Sequence, residues 1–342
     1  MAQKVLSVSI AAYNVQSTLE AALLPFTDSE VRDKLDVMII NDGSTDRTAE
    51  IAQHYVNRYP DTFRLINKKN GGWGSTLNTG FQCAIGKYFK QLDGDDFFSP
   101  ENLNDFLNFL DKRDEDMVYT PYVTFEDQTG AAIRVVGGYF GNYRFFPLEK
   151  TVNLKECSGF CPAMHCLTIR TDILKNNPIL ITEHCFYTDV EYVLKAYNYC
   201  ETITFAKWPI YWYRLARSGQ SMSRKGVQKH YRDHQKMLIT MLEYLNTAVT
   251  KEYVAEVIRN RLLGVCNMQY IFYFALECTK KQKDELREFD KLLKDKYPYF
   301  YKEIDGKQIV LLRKTHFNGY KIIAMQKMNK DKRLKQNIFE GC

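Results

Sequence analysis

Three carboxylates fall within four residues, Asp93-Gly94-Asp95-Asp96, directly after the β-prone run Tyr88–Leu92. Acids this close repel one another and do not all ionise unless a cation neutralises them. A hard divalent ion with open positions for phosphate oxygens, Mg²⁺ or Mn²⁺, suits such a group. As a Lewis acid it would stabilise a departing diphosphate. A second reading needs no metal, since acids ahead of Pro100 are favourable near a helix start and can cap it.

Two other stretches carry comparable chemistry. Asn41-Asp42-Gly43-Ser44-Thr45-Asp46 is a strand-to-helix turn in which Gly43 permits tight geometry and Ser, Thr or Asp can cap. Asp42 then stands at the strand end, where a carboxylate can accept a hydrogen bond from a base or ribose. Asn70-Gly71-Gly72-Trp73-Gly74-Ser75-Thr76 opens a helix with three glycines, a pattern that lets backbone N–H groups approach an anion. Cys157, Cys161, His165 and Cys166 raise the question of zinc, but they lack closely paired cysteines and Pro162 interrupts them. Core thiols with a histidine near an acceptor fit them better.

These residues need elements to hold them. Val5–Ala11, Asp36–Ile40, Phe63–Ile66 and Tyr88–Leu92 read as strands. Helical patterns run over Gln16–Leu24, about 46–59, about 75–85 and Pro100–Leu110. Such alternation means βαβ units and a mainly parallel, buried sheet whose ligands sit beyond the carboxyl ends of the strands. The acidic turn, the Asn41–Asp46 turn and the glycine loop all follow such ends. Further on, Met117–Phe125 and Ala132–Val136 read as strands and Asp189–Tyr199 as a helix. From Arg224 to about 296 the chain reads as helical, with a break at Pro298. The expected divisions are 1–115 for nucleotide-sugar binding, 116–223 for acceptor binding in the same catalytic domain, and 224–342 for a helical region with a basic tail.

Of 342 residues, 47 are Lys or Arg and 41 Asp or Glu, for a net charge of +6. The charge is uneven: residues 307–336 carry +8 and the remainder −2. A nucleic-acid-binding body is therefore not expected. The tail interleaves Ile, Leu, Met and Phe with Lys and Arg, which fits peripheral contact with an anionic membrane or packing against the helical region. No signal peptide and no run of about 18 apolar residues stands out. Nine cysteines, an odd number, suit reduced thiols. The expected location is cytoplasmic, at most peripheral at the inner face of the membrane.

The runs SVSIAAYN (Ser7–Asn14), IINDGSTD (Ile39–Asp46), NGGWGSTLNTG (Asn70–Gly80) and QLDGDD (Gln91–Asp96) together resemble family 2 glycosyltransferases in order, spacing and strand context. The resemblance is strong over residues 4–112 and fades towards Ser223. It implies a GT-A-type, Rossmann-like α/β fold with a C-terminal helical extension. Ala12, Tyr13, Asn14, Asn70 and Gly72 would line the nucleotide, and Asp42 would meet the base. Asp93 would meet ribose or metal, and Asp95 the metal on the diphosphate. Two departures stand out: Asn41 precedes Asp42 where the family usually has a second acid, and Leu77 stands where an Arg is common. Transfer with inversion needs one carboxylate to take the acceptor proton, and Asp189 matches the family's base best, with Glu191 as the fallback. Glu183 and His165 would shape the acceptor pocket, and Arg214 or Arg217 would close over the diphosphate.

The expected activity is an inverting, metal-dependent transfer of a sugar from a nucleoside diphosphate, UDP in the first instance, to a hydroxyl of a glycan or lipid-linked acceptor. The alternatives are sugar-1-phosphate nucleotidylyl transfer and non-catalytic glycan binding.

Overall fold

The computed structural model describes residues 4–137, 147–157, 159–215 and 223–333. The chain forms two compact units, Met1–Arg217 and Ser218–Cys342. The first opens with β1 (Leu6–Ala12), α1 (Leu19–Leu23), β2 (Leu35–Asn41), α2 (Thr48–Arg58), β3 (Phe63–Asn67), α3 (Trp73–Cys83) and β4 (Tyr88–Asp93). It continues through β5 (Phe97–Phe98), α4 (Pro100–Asp111), β6 (Met117–Tyr119), β7 (Tyr122–Glu126), β8 (Ala132–Val136) and β9 (Thr151–Asn153). It ends with β10 (Leu167–Arg170), α5 (Thr171–Asn176), α6 (Asp189–Tyr199), β11 (Thr202–Phe205) and β12 (Tyr211–Leu215).

Eight strands make the main sheet, in the order β3-β2-β1-β4-β10-β6-β11-β9. β3, β2, β1 and β4 are all parallel to their neighbours in that series, whereas β10 runs antiparallel between β4 and β6. All seven residues of β2 are buried, as a parallel strand covered on both faces requires. The chain winds from β1 outward to β3, then crosses back to place β4 on the other side of β1. That reversal opens a crevice at the carboxyl ends of β1 and β4, where open α/β sheets bind their ligands. The expected mainly parallel α/β architecture is therefore present.

One expected strand divides. Met117–Phe125 splits into β6 and β7, which belong to different sheets. Pro121 sits at the break, because it has no N–H for a ladder. β7 then joins a second sheet, β5-β12-β7-β8, whose β5 and β12 flank the acids that follow β4.

The second unit contains α7 (Arg224–Thr247), α8 (Glu252–Phe274), α9 (Lys280–Lys296), α10 (Pro298–Glu303), α11 (Lys307–Lys314) and α12 (Tyr320–Arg333). No described helix is long and apolar enough to cross a membrane. Its polar centre is Arg313, whose guanidinium donates to Asp290 at 2.8 Å, to the carbonyls of Tyr301 and Ile304, and to the Tyr270 hydroxyl. The +8 segment is thus partly structural: Arg313, Ile309, Leu312, Tyr320, Ile323 and Ala324 pack into the helical unit. Removing one member of a buried pair leaves the other uncompensated. Arg313→Ala should cost about 3 kcal/mol in urea unfolding; a loss below about 1 kcal/mol would show that the network carries little stability.

Candidate functional site

β4 delivers Asp93 into the crevice, and the following turn brings Asp95 and Asp96 beside it. Asp96 is turned inward and buried. It accepts from the Tyr211 hydroxyl at 2.6 Å and the Arg214 amide at 2.7 Å. Burial, then the charges of Asp95 and Asp93, hold its pKa well above the usual carboxylate range. Asp93 accepts a 2.6 Å hydrogen bond from the indole N–H of Trp73. Burial, with Asp95 next, pushes its pKa up to about 7, and the charge of Asp189 adds to the rise. The Asp95 side chain is half-buried, while its carbonyl is held by Arg214 Nε at 2.6 Å.

Arg214 therefore does not stand ready to close over a diphosphate. Its Nη1 meets Asp127 at 2.7 Å and its guanidinium lies 4.8 Å from the centre of the Phe125 ring. It fixes β12 against the acidic turn, and that commitment corrects the expected role. Arg217, the alternative, lies outside the described residues.

The glycine loop is built around Asp42. This carboxylate is 2% exposed and accepts from the amides of Gly71 (2.9 Å) and Gly72 (2.8 Å) and from Lys68 Nζ (2.9 Å). Lys68 also donates to Ser75 and to the carbonyl of Lys69. A carboxylate offers about four lone-pair sites, and three are taken, so Asp42 organises the loop and keeps about one site for a further donor. Asn70 Nδ2 donates to the Asp42 carbonyl at 2.9 Å. Gly72 has φ 81°, a left-handed conformation that glycine adopts without strain.

Beyond β1, Asn14 accepts from the Thr45 amide at 2.8 Å, and its own amide donates to Ser44 at 3.1 Å. These bonds lace the first strand-end loop to the second and hold Asn14 at φ 52°. Asn14 is thus a loop fastener. Ala12 is buried, its carbonyl accepting from the Asp42 amide at 2.9 Å. Tyr13, 52% exposed, is the aromatic ring available at this edge.

The second half contributes the segment leading to α6. Asn78 on α3 pairs twice with the Ile181 backbone, at 2.9 Å each way, and reaches Glu183 at 3.3 Å. The His184 amide donates to the Gly71 carbonyl at 2.6 Å. A Cβ on Gly74 would lie 2.3 Å from the Thr182 carbonyl oxygen. Gly74→Ala must therefore displace backbone. It should lower stability by about 1–3 kcal/mol, the usual range for overpacking, and transfer with it; thermal unfolding and an activity assay check both.

Asp189 begins α6, after Thr188, and its charge acts on both Asp93 and Tyr213. Glu191, the fallback, is fully buried. It pairs with Lys195 at 2.6 Å and accepts from the amide and hydroxyl of Thr182, so it is a structural clamp. Glu183 is exposed beside Asn78. His165 lies among Tyr122, Tyr211 and Tyr213, with ring centroids 4.9, 4.8 and 4.6 Å away. Burial, then Lys90, pushes its pKa down to about 3, and its buried Nδ1 has no hydrogen-bond partner among the described residues.

The acids suit a divalent ion on one condition. Among the described residues no three His, Cys, Asp or Glu side chains converge as an all-protein cage. Mg²⁺-type ions instead take one or two carboxylates and complete their shell with water and substrate phosphate. Asp93 and Asp95 match that donor set, and a cation would offset the burial and, after it, the mutual charge that raise Asp93 and Asp96.

Three contributors were not identified as functional from the sequence: Trp73, Asn78 and Tyr211. Nothing local reveals that the polar atoms of Trp73 and Tyr211 meet Asp93 and Asp96, 20 and 115 positions away. Lys90 likewise gave no signal. It is fully buried on β4 and donates to the carbonyls of His165 and Leu167 at 2.9 Å.

Several known proteins are similar to this chain. GgaB of Bacillus subtilis, named for minor teichoic acid biosynthesis, is 29% identical over 236 residues, covering 67% of this chain and 25% of GgaB. EpsJ of B. subtilis, an uncharacterised glycosyltransferase, is 38% identical over 96 residues, 27% of this chain and 26% of EpsJ. The chain thus spans about a quarter of either relative's length. S. aureus TarS 1–349 in complex with UDP-GlcNAc superposes with a TM-score of 0.65 at 18% identity, covering 97% of this chain and 92% of that one. The mannosyltransferase PcManGT of Pyrobaculum calidifontis, in complex with GDP-Man and Mn²⁺, gives 0.55 at 14% identity, covering 95% and 87%. These structural likenesses establish the fold. The model of glycosyl transferase family 2 matches residues 7–175, the stretch that contains both strand-end loops, the glycine loop and the acidic turn, and that stretch is a glycosyltransferase family 2 domain.

Proposed function

We propose that the protein is an inverting glycosyltransferase that moves a sugar from a UDP-linked donor to a hydroxyl of a glycan or lipid-linked acceptor. The observation that carries this reading is the placement of Asp189 at the start of α6, with its charge acting on Asp93 at the end of β4. In this reading Asp189 serves the acceptor, and Asp93 and Asp95 serve the leaving diphosphate. Asp189 takes the acceptor proton as the oxygen bonds to the anomeric carbon, and the carbon–diphosphate bond breaks on the opposite face. A divalent ion held by Asp93 and Asp95 would neutralise charge on the departing nucleotide. Tyr13 offers a ring to the base, the glycine loop ordered by Asp42 and Asn70 borders the nucleotide, and Glu183 and His165 line the acceptor side.

UDP is favoured by the likeness to TarS with UDP-GlcNAc, and a cell-surface glycan acceptor by the name of GgaB. The test is a panel of UDP-sugars and GDP-mannose with Mn²⁺ or Mg²⁺, read by release of the nucleoside diphosphate. Release of pyrophosphate would replace this reading with nucleotidylyl transfer. Calorimetry showing no metal-dependent nucleotide binding would leave a glycan-binding protein.

Membrane contact is proposed for the face of α11 and α12 where Leu311, Ile322 and Met325 are exposed beside Lys307, Lys314 and Lys321. Each cation near an anionic surface contributes about 1 kcal/mol. Replacing the three lysines with Gln should weaken binding to phosphatidylglycerol vesicles about 100-fold; unchanged binding removes the proposal.

A further inference from the structure

Trp73 stands between Gly72 and Gly74 in the glycine loop. It is the first residue of α3, directly after Gly72 at φ 81° and directly before Gly74, which packs against the Thr182 carbonyl. That frame sets the direction of the side chain. The indole N–H ends 2.6 Å from Asp93 Oδ1, twenty residues further along the chain.

The chemistry of the partner is informative. An indole is a neutral, single donor; it can fix one carboxylate oxygen without cancelling the charge, leaving the other oxygen for a second partner. The alternatives on this side of the site are closed. Leu77, one turn further along α3, is fully buried and apolar. Lys68, the cation of the preceding loop, is engaged by Asp42, Ser75 and the Lys69 carbonyl. Arg214 is held by Asp127 and the Asp95 carbonyl. Asp93 is therefore oriented by neutral donors, the Trp73 indole and the Gln91 side chain, which leave its charge in place.

We infer that Trp73 is a positioning residue that aims Asp93 at a divalent cation accompanying the donor, and that it thereby sets the metal requirement of donor binding. The inference rests on the proposed metal-assisted use of Asp93. An ion would find one oxygen of Asp93 already oriented, with the Trp73 hydrogen bond as part of the surrounding support that keeps metal ligands in place. Hydrogen bonds to charged groups rank among the stronger ones, and loss of such support typically costs 10–100-fold in metal affinity.

Trp73→Phe keeps the ring and removes only the donor, and Trp73→His retains a ring N–H. Both are to be compared with Asp93→Asn in the full-length chain, by titrating Mn²⁺ into protein with UDP, by calorimetry and by the rise in melting temperature. The expected result is a Mn²⁺ affinity lowered about 10-fold or more in Trp73→Phe, partly restored in Trp73→His, with transfer at saturating Mn²⁺ reduced much less than at limiting Mn²⁺. If Asp93→Asn abolishes Mn²⁺-dependent UDP binding while Trp73→Phe leaves it unchanged, the role of Trp73 is overturned and the metal site stands. If Asp93→Asn leaves it unchanged, the metal site falls, and the inference with it. Should Trp73→Phe not fold, a folded Trp73→His supports the inference if its Mn²⁺ affinity falls less than in Asp93→Asn while UDP binds without metal as in the parent; equal weakening with and without metal overturns it.

Discussion

Asp189→Asn should reduce sugar transfer about 1,000-fold, within the 100- to 10,000-fold range for a positioned general base, while UDP binding stays within about threefold. The exchange preserves size and an oxygen at the first residue of α6, where losing a negative charge costs only about 0.3–1 kcal/mol. It removes the one property the reaction needs, a carboxylate able to take a proton. Asp189 also adds to the repulsion felt by Asp93, so the loss of its charge should not weaken the acidic turn. The informative measurement pairs transfer kinetics with calorimetric UDP binding. Transfer within tenfold of the parent would remove Asp189 as the base, and the exposed Glu183 would be the next residue to test, because Glu191 is enclosed by Lys195 and Thr182.

The nucleotide half was readable because its signals are local. Short β-rich runs alternate with helical patterns, and each functional turn follows a strand in sequence, so the strand ends could be named before any contact was known. The predicted start of α6 at Asp189 coincides with the observed one. What stayed hidden is pairing across the fold. Asp42 looked like an open acceptor because nothing in NDGS reveals that the amides of Gly71 and Gly72 fold back onto it. Arg214 looked like a phosphate ligand because guanidinium groups suit phosphate, but a carboxylate at Asp127 and a backbone carbonyl at Asp95 suit it equally and are fixed nearby. The +8 segment left membrane contact and packing both open for the same reason: net charge does not distinguish a solvated lysine from Arg313, which is half-buried among Asp290, Tyr270 and Tyr301.

The division of Met117–Phe125 has a related cause. Both halves are apolar and β-prone, so periodicity runs through them, and only the missing N–H of Pro121 marks the change of sheet. That change has a functional consequence, since it lets β7 carry Asp127 to Arg214 and pair with β12 in parallel. The second sheet thus braces the acidic turn through Arg214 and Tyr211, and the acids become a held group rather than a loose loop.

That bracing makes the effects of Asp95→Ala separable. Removing this side chain leaves Asp93 on Trp73 and Asp96 on Tyr211 and the Arg214 amide. The Arg214 bond to residue 95 is made to the backbone and survives. Asp95 is the largest charge contribution raising Asp93 and Asp96, so its loss relieves repulsion. The melting temperature without metal should therefore hold or rise. A ligand that binds only the folded state raises stability in proportion to its saturation, and in Asp95→Ala the rise produced by Mn²⁺ with UDP should vanish. Transfer should fall by about 1,000-fold or more, because both orientation and charge neutralisation of the diphosphate are lost together. The two effects have opposite signs, as expected of a group kept for function at a cost in stability. A variant that keeps its Mn²⁺-dependent rise would show that the cation is held elsewhere. A variant that melts well below the parent without metal would show that Asp95 is part of the scaffold.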